Sequence, residues 1–311
     1  MSKERIVAVV NPKASNGAGG KRWPKLEKAL REHWPELEVR MTERQGHAST
    51  LTAEALERGA DMVIAVGGDG TTNEVLGGFL DAEGRNRFPD ACLGVVANGT
   101  GGDFQRMFGA LAPLAQVQRL AAANIRTVDY GLVRFVDHEG EARTRAFVNM
   151  VSVGISGLVD AIVNDSGRPL GSTAAYVGAS LEAISKWRNQ PVTLRYDDGD
   201  AQELDLTLLC LGNGQYFGAG MHACPNAEVD SGQLEAVLLD GFRRRHIVGA
   251  LGRCFKGKHI GYRGIESKTV SKVQIDPREG AEVLIDLDGE QPGKAPLSVE
   301  VVHAGLRLRI A

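Results

Sequence analysis

The sequence is poor in cysteine. It has four, Cys92, Cys210, Cys224 and Cys254, and none forms a C-x-x-C pair. Zinc binding and dithiol redox chemistry are therefore not expected. Cys92 and Cys210 lie in apolar runs and read as buried small hydrophobes, which suits a reducing cytoplasm. There is no basic surplus: 36 Lys+Arg face 39 Asp+Glu, a formal charge of −3. Nucleic-acid binding wants such a surplus to neutralise phosphates, so no nucleic-acid partner is expected. No run approaches the roughly 18–20 apolar residues of a membrane span. The charged opening Met-Ser-Lys-Glu-Arg and the short apolar stretch at residues 6–10 fall short of the roughly 7–15 apolar residues of a secretion signal. Aromatic residues are scarce, at 5%.

Glycine is abundant: 39 among 311 residues, about one in eight against roughly 7% on average. That excess means tight turns, or backbone drawn close to something. The length suits two domains or one large one. Up to about Val128 the chain alternates strand-like and helix-like segments. Strands are expected at 6–10, 37–41, 62–66 and 92–96, and helices at 21–33, 48–58, 72–80 and 113–123. This alternation predicts βαβ units around a parallel sheet. Beyond Val128, β-rich runs dominate, at 131–136, 146–151, 192–196, 204–211, 234–239, 270–275, 283–286 and 298–302. Helical stretches at 172–187 and 243–255 interrupt them, and an antiparallel, sandwich-like second domain is expected. The domains are placed at 1–128 and 129–302. The last strand, 306–310, fits either domain by pattern, so 303–311 is a candidate to complete the first.

Two glycine-rich loops end strands of the first domain. Gly67-Gly68-Asp69-Gly70-Thr71 follows the 62–66 strand. Ligands in open α/β sheets bind beyond the carboxyl ends of strands, and a helix N-terminus offers free N–H groups to phosphate. Thr71 and Glu74 also have the T-x-x-E spacing of a capping box. Asn98-Gly99-Thr100-Gly101-Gly102-Asp103 repeats the design after the 92–96 strand, with capping spacing between Thr100 and Asp103. The loop from Asn11-Pro12-Lys13 to Gly20 supplies a third wall, and Lys13, Lys21 and Arg22 are candidate phosphate partners or plain surface charges. An acid inside a phosphate loop, Asp69, is either a turn residue or functional.

With these residues the chain resembles the diacylglycerol kinase-like lipid kinases, the soluble bacterial diacylglycerol kinases together with the sphingosine and ceramide kinases. The resemblance runs through Asn11-Pro12, Thr42, Gly46-His47-Ala48, Gly67 to Glu74, Gly99-Thr100-Gly101 and Asp103-Phe104. It continues in Asn149, Gly154, Asn213-Gly214, Tyr216-Phe217-Gly218, Pro225, Asp230-Ser231-Gly232 and Asp288-Gly289-Glu290. It implies an N-terminal nucleotide-binding α/β domain of the NAD kinase and phosphofructokinase type, and a C-terminal antiparallel β-sandwich that receives the lipid. It implies transfer of the ATP γ-phosphate, with Mg²⁺, to a lipid hydroxyl, and so a place in lipid metabolism. By position, Asn11, Thr42, Gly67, Gly68, Asp69, Gly70, Thr71, Thr72, Asn73 and Thr100 match nucleotide-contacting segments. Glu290 matches the proton acceptor and Asp69 a catalytic Asp. Asp230 and Ser231 match a Mg²⁺ site away from the reaction.

Read locally, Glu290 alone is an exposed residue in a hairpin turn. Two positions depart from the family pattern. Gly102 stands where many relatives have Asn, and Ser231 where some have an Asp; a hydroxyl is the weaker Mg²⁺ ligand. Residues 241–265 hold seven positive charges (Arg243, Arg244, Arg245, Arg253, Lys256, Lys258, Arg263) and no acid. Ile247, Leu251 and Phe255 share one helical face. The segment 243–263 is thus either an element for peripheral, transient membrane contact or an amphipathic helix packed on its own sheet. A homodimer is an expectation of the resemblance alone. Two other readings remain open: a soluble-substrate kinase of the NAD kinase type, and a non-catalytic nucleotide- or lipid-binding regulator.

Overall fold

The computed structural model describes residues 4–15, 17–99, 102–122, 124–165, 173–218 and 220–310. Two compact units divide the chain: Met1–Val128 with Ala304–Ala311, and Asp129–His303.

The first unit alternates β1 (Ile6–Val10), α1 (Ala18–His33), β2 (Glu38–Met41), α2 (His47–Glu57), β3 (Met62–Gly67), α3 (Asp69–Phe79), β4 (Cys92–Ala97), α4 (Asp103–Arg106) and α5 (Pro113–Ala122). Its strands are parallel, with β1 between β2 and β3, and β4 beyond β3. Residues Arg307 to Ile310 pair in parallel with Cys92 to Val95, so the last strand returns to this unit. β1 and β3 are buried along their whole length. Such strands carry apolar residues on both faces, which is why they read as unbroken runs. α1 covers the sheet with Trp23, Leu26 and Leu30.

The second unit contains β5 (Arg126–Asp137), β6 (Ala142–Phe147), β7 (Met150–Gly154), α6 (Ile155–Asp165), α7 (Thr173–Lys186), β8 (Gln190–Tyr196) and β9 (Gln202–Gly212). Then follow β10 (Tyr216–Phe217), β11 (Met221–His222), β12 (Leu234–Asp240), α8 (Arg244–Cys254), β13 (Glu266–Val270), β14 (Lys272–Pro277), β15 (Ile285–Leu287) and β16 (Gly293–Ile310). Its pairings are antiparallel: β12 with β9 and β13, β9 with β7 and β8, β14 with β8 and β16, β15 with β7. Side chains alternate between two cores. Leu209 and Leu211 of β9 enter one and Cys210 the other; Leu234, Ala236 and Leu238 of β12 enter the first, Val237 and Leu239 the second. The second core is closed by α6, α7 and α8.

The structure corrects several local expectations. The run at 146–151 is two strands, broken at Val148-Asn149. There the buried Asn149 carbonyl accepts the amides of Asn213 (2.9 Å) and Gly214 (2.7 Å). The Asn213 side chain donates to the carbonyls of Val148 (2.7 Å) and Asp129 (3.0 Å). The run at 270–275 breaks at Ser271, whereas 298–302 and 306–310 belong to one strand. α6 was not foreseen. It starts directly after β7, where Gly154 has φ +103°, and a Cβ at Gly157 would lie 2.6 Å from Leu284. Thr71 caps nothing: α3 begins at Asp69, with Gly68 as N-cap. Glu74 instead accepts the amides of Gly46 (2.8 Å) and Ala48 (3.0 Å) at the start of α2.

Candidate active site

In the first unit the parallel register brings the ends of β1, β3 and β4 together. The Asn11 amide donates to the Val66 carbonyl (2.9 Å), and the Asn98 amide to that of Gly67 (2.7 Å). Asn11 Nδ2 reaches Thr71 Oγ1 at 3.2 Å, while its Oδ1 accepts the Lys13 amide at 3.0 Å. Thr42 is buried, and its amide holds the Val10 carbonyl at 2.8 Å. Arg22 is committed to Asn98, with Nε 2.8 Å from Oδ1 and Nη2 2.7 Å from the carbonyl oxygen. Lys13 Nζ donates to the Glu43 carbonyl at 3.1 Å. Lys21 is exposed.

The glycines of the first loop differ in purpose. A Cβ on Gly67 would lie 2.3 Å from Thr71 Oγ1, so its own packing demands glycine. At Gly68 the backbone is extended (φ −96°), and among the described residues a Cβ would meet only Gly99 Cα at 4.0 Å. Neither its conformation nor its packing against the described residues requires glycine there. α3 has no side-chain cap, so its first amides keep the free hydrogen-bonding capacity of a helix start. Thr71, Thr72 and Asn73 are buried, with Thr72 Oγ1 3.3 Å from the Gly68 carbonyl. They shape the helix start from inside.

Asp69 binds the second loop. Its carboxylate accepts the amides of Asp103 (3.0 Å) and Phe104 (3.2 Å) at the start of α4. The residue is half-buried, but its carboxyl end lies among protein atoms. Burial pushes its pKa above the ordinary carboxylate value, against the pull of these amides and of Arg106. Gly102 has φ +63°, a left-handed conformation that glycine or Asn adopts most readily. Thr100 lies outside the described residues.

In the second unit Glu290 ends a two-residue turn. Leu287 and Glu290 exchange backbone hydrogen bonds (2.8 and 3.1 Å), with φ +50° at Asp288 and +85° at Gly289. Those signs are the ones a tight Asp-Gly hairpin needs. Arg145 Nη1 meets Glu290 Oε2 at 2.9 Å. Asp288 Oδ1 accepts the Met150 amide at 3.1 Å. Below the turn, Asp286 Oδ1 accepts the Gly289 amide at 2.9 Å. Ser152 Oγ lies 3.2 Å from Asp286 Oδ2 and 2.8 Å from Ser156 Oγ. Asp160 of α6 comes within hydrogen-bonding reach of Asp286.

Ser156 also lines an apolar cavity of about 80 Å³. Its walls include Val159, Ile184, Leu208, Val237, Ile247 and Ala250, from α6, α7, β9, β12 and α8. His259 borders it; its Nε2 lies 2.9 Å from the Ala223 carbonyl. A carbonyl only accepts, so that nitrogen carries the proton. Burial lowers the ring's pKa and keeps it neutral. Ile247 therefore faces inward, with Leu251 and Phe255 packed on the same core. The seven basic residues of 243–263 are exposed. No helix among the described residues is long and apolar enough to cross a membrane.

The suggested metal site is a hydrogen-bonded turn. Ser231 Oγ lies 3.1 Å from the carbonyls of Glu228 and Gln233, and the Gly232 amide donates to Asp129 Oδ2 at 2.6 Å. Among the described residues no group of three or more His, Cys, Asp or Glu is placed to hold a metal ion. Mg²⁺ wants six oxygens in near-octahedral array, and this hydroxyl is already spent on the backbone.

Arg145, Ser152, Ser156, Asp160 and Asp286 escaped the sequence reading. A signal existed for two of them: Asp160 and Asp286 sit within apolar runs, where an acid is costly unless paired.

The chain thus combines a parallel α/β unit that has a glycine-rich helix start with an antiparallel unit that has an apolar cavity beside a carboxyl cluster. Comparison with known proteins gives the family. Residues 5–133 match the Diacylglycerol kinase catalytic domain, and residues 149–310 match the YegS C-terminal NAD kinase beta sandwich-like domain. The chain belongs to this lipid kinase family. A protein of Pseudomonas aeruginosa described as "Probable lipid kinase YegS-like" is 30% identical over 315 positions, covering 100% of this chain and 95% of its own. A Diacylglycerol kinase of Mycobacterium tuberculosis is 27% identical over 307 positions, covering 98% and 94%. A crystal structure of a diacylglycerol kinase from Bacillus anthracis has the same fold, with TM-score 0.76 at 24% identity over 100% and 98% of the two chains.

Proposed function

We propose that the protein transfers the γ-phosphate of MgATP to the hydroxyl of a lipid, a diacylglycerol or a sphingoid-type lipid, with Glu290 receiving the hydroxyl proton. The acceptor oxygen bonds to Pγ, the bond from Pγ to the β,γ-bridging oxygen breaks, ADP leaves, and the proton passes to the Glu290 carboxylate. Such transfer asks the protein mainly for positioning and charge stabilisation, with a carboxylate in reach of the proton. One observation carries the lipid reading: the apolar cavity of the second unit adjoins Ser156, and Ser156 connects through Ser152 and Asp286 to the turn that presents Glu290. An apolar cavity with few polar groups suits an alkyl chain.

The nucleotide half rests on the bare Gly68 and the uncapped start of α3, where amides and helix dipole favour phosphate. Asn11 and Thr42 shape that edge. Asp69 is a positioning residue that fixes the second loop, and Thr100 is assigned to the same loop by family position. Arg145 orients Glu290. Contact with a bilayer is assigned to the exposed basic residues of 243–263 acting by charge, since the apolar side of α8 is occupied by the protein core.

The test is transfer from labelled ATP to diacylglycerol, sphingosine, ceramide, phosphatidylglycerol and NAD. Phosphorylation of one or more lipids is expected. Transfer to NAD alone overturns the lipid reading. ATP binding without transfer to any acceptor favours a regulator.

A further inference from the structure

Asp160 and Asp286 are 1% and 2% exposed, in a unit whose ion pairs, among the described residues, include neither. Their carboxyl groups lie within hydrogen-bonding reach of each other. Two carboxylates only accept, so the contact requires a proton. The surroundings say which acid carries it. Asp286 receives the Gly289 amide on Oδ1 and faces Ser152 Oγ with Oδ2. Asp160 Oδ2 is buried with no donor against it. Asp286 is thus built to be the charged acceptor, and Asp160 the neutral donor.

We propose that Asp160 and Asp286 hold a single proton between them, and that this proton fixes the Asp288-Gly289 turn on which Glu290 is presented. The functional part rests on reading Glu290 as the proton acceptor. The turn is tied to the pair through the Gly289 amide. Loss of the proton sets two buried negative charges against each other, a cost relieved by separating them. Asp286 then lets go of its other partners, and the turn loosens.

The groups facing the pair reinforce it. Glu290, on the turn, raises Asp160 further beyond its burial and Asp286. Cys210 of β9 stays a neutral thiol, because burial holds it well above its usual value. Ser152 and Ser156 are uncharged. Arg145 lies on Glu290, and Asp288 takes the Met150 amide. On α7, Glu182 and Lys186 pair with each other on the exposed side. Asp160 and Asp286 are positioning residues on this account, acting through the turn.

Asp160→Asn tests this, because an amide donates to Asp286 at every pH. Three readouts apply to wild type and variant: the infrared band of a protonated carboxyl, the pH profile of kcat, and the protection of the Gly289 amide, corrected for intrinsic exchange. Wild type should show a band that Asp160→Asn lacks. Its kcat and Gly289 protection should fall together at alkaline pH. Asp160→Asn should keep kcat within about threefold at neutral pH and carry the alkaline limb at least about one pH unit higher. Asp160→Leu, which leaves Asp286 without its proton partner, should lose more than about tenfold in kcat together with Gly289 protection. A protonated-carboxyl band that Asp160→Asn retains, or identical alkaline limbs, overturns the proposal. If wild type phosphorylates no lipid, the Glu290 reading fails, and the band and Gly289 protection alone decide whether the shared proton fixes the turn.

Discussion

Replacing Asp69 by Asn removes half of a carboxylate that holds a loop. The two oxygens of Asp69 accept the amides of Asp103 at 3.0 Å and Phe104 at 3.2 Å, and the Gly102 amide also bonds the carboxylate. Asn keeps one acceptor and turns an NH₂ group toward the other amide. One hydrogen bond to a charged group, about 1.5–3 kcal/mol, is lost, and a buried N–H is left without its partner. Relief from burying a charge acts the other way, because the Asp69 carboxyl is raised by burial. The net loss is on the order of 1–3 kcal/mol, or about 3–10 °C in the unfolding of a unit this size. Calorimetry on the full chain measures it.

The pH dependence has a definite sign. A carboxyl raised in the folded state binds its proton more tightly there, so its contribution is complete below the unfolded value of 3.8 and is lost as pH rises through the folded value. Asp69→Asn lacks that limb. Turnover should fall by at least about tenfold, because the second loop is no longer held in place. A variant that unfolds within about 1 °C of wild type, with the same pH limb but no turnover, would refute the positioning role and put Asp69 on the reacting atoms.

Three further outcomes are expected. Gly68→Ala should fold normally, since among the described residues its Cβ meets only Gly99 Cα at 4.0 Å. It should raise the ATP KM by about tenfold or more, and an unchanged KM would remove phosphate from that loop. Glu290→Gln should abolish turnover, by about 10²-fold or more, while leaving thermal unfolding near wild type, because the side chain makes one partly exposed ion pair with Arg145; retained activity would refute the assignment. Arg243→Ala combined with Arg244→Ala and Arg245→Ala should weaken sedimentation with anionic vesicles at low salt, by about 1 kcal/mol per charge. Unchanged binding would make that basic face merely solvated.

Much of the site was legible because its residues are local in sequence. The strand, glycine and helix order around Asp69 is a short-range pattern, and so is the Asp-Gly turn before Glu290. The C-terminal elements were harder to delimit. α6 follows β7 without a linker, so the helical spacing of Ile155, Leu158, Val159, Ile162 and Val163 is run together with the apolar strand before it. The break at Asn149 depends on Asn213, far away in the chain. Ile247, Leu251 and Phe255 give the same helical face whether a helix meets a bilayer or a core; only packing shows that the core takes it.

The sequence by itself determined the two-part architecture, the parallel and antiparallel character of its sheets, and the loops that mark the family. These follow from hydrophobic periodicity and turn chemistry, which act over a few residues. Tertiary structure alone decided what the acids do. Asp69 became a clamp because β3 and β4 are neighbours in register, and Glu74 became the cap of another helix. Asp160 and Asp286 became a pair because α6 packs on β15. A carboxyl group's protonation and partners are set by the burial and donors around it, and those come from segments the local sequence does not name.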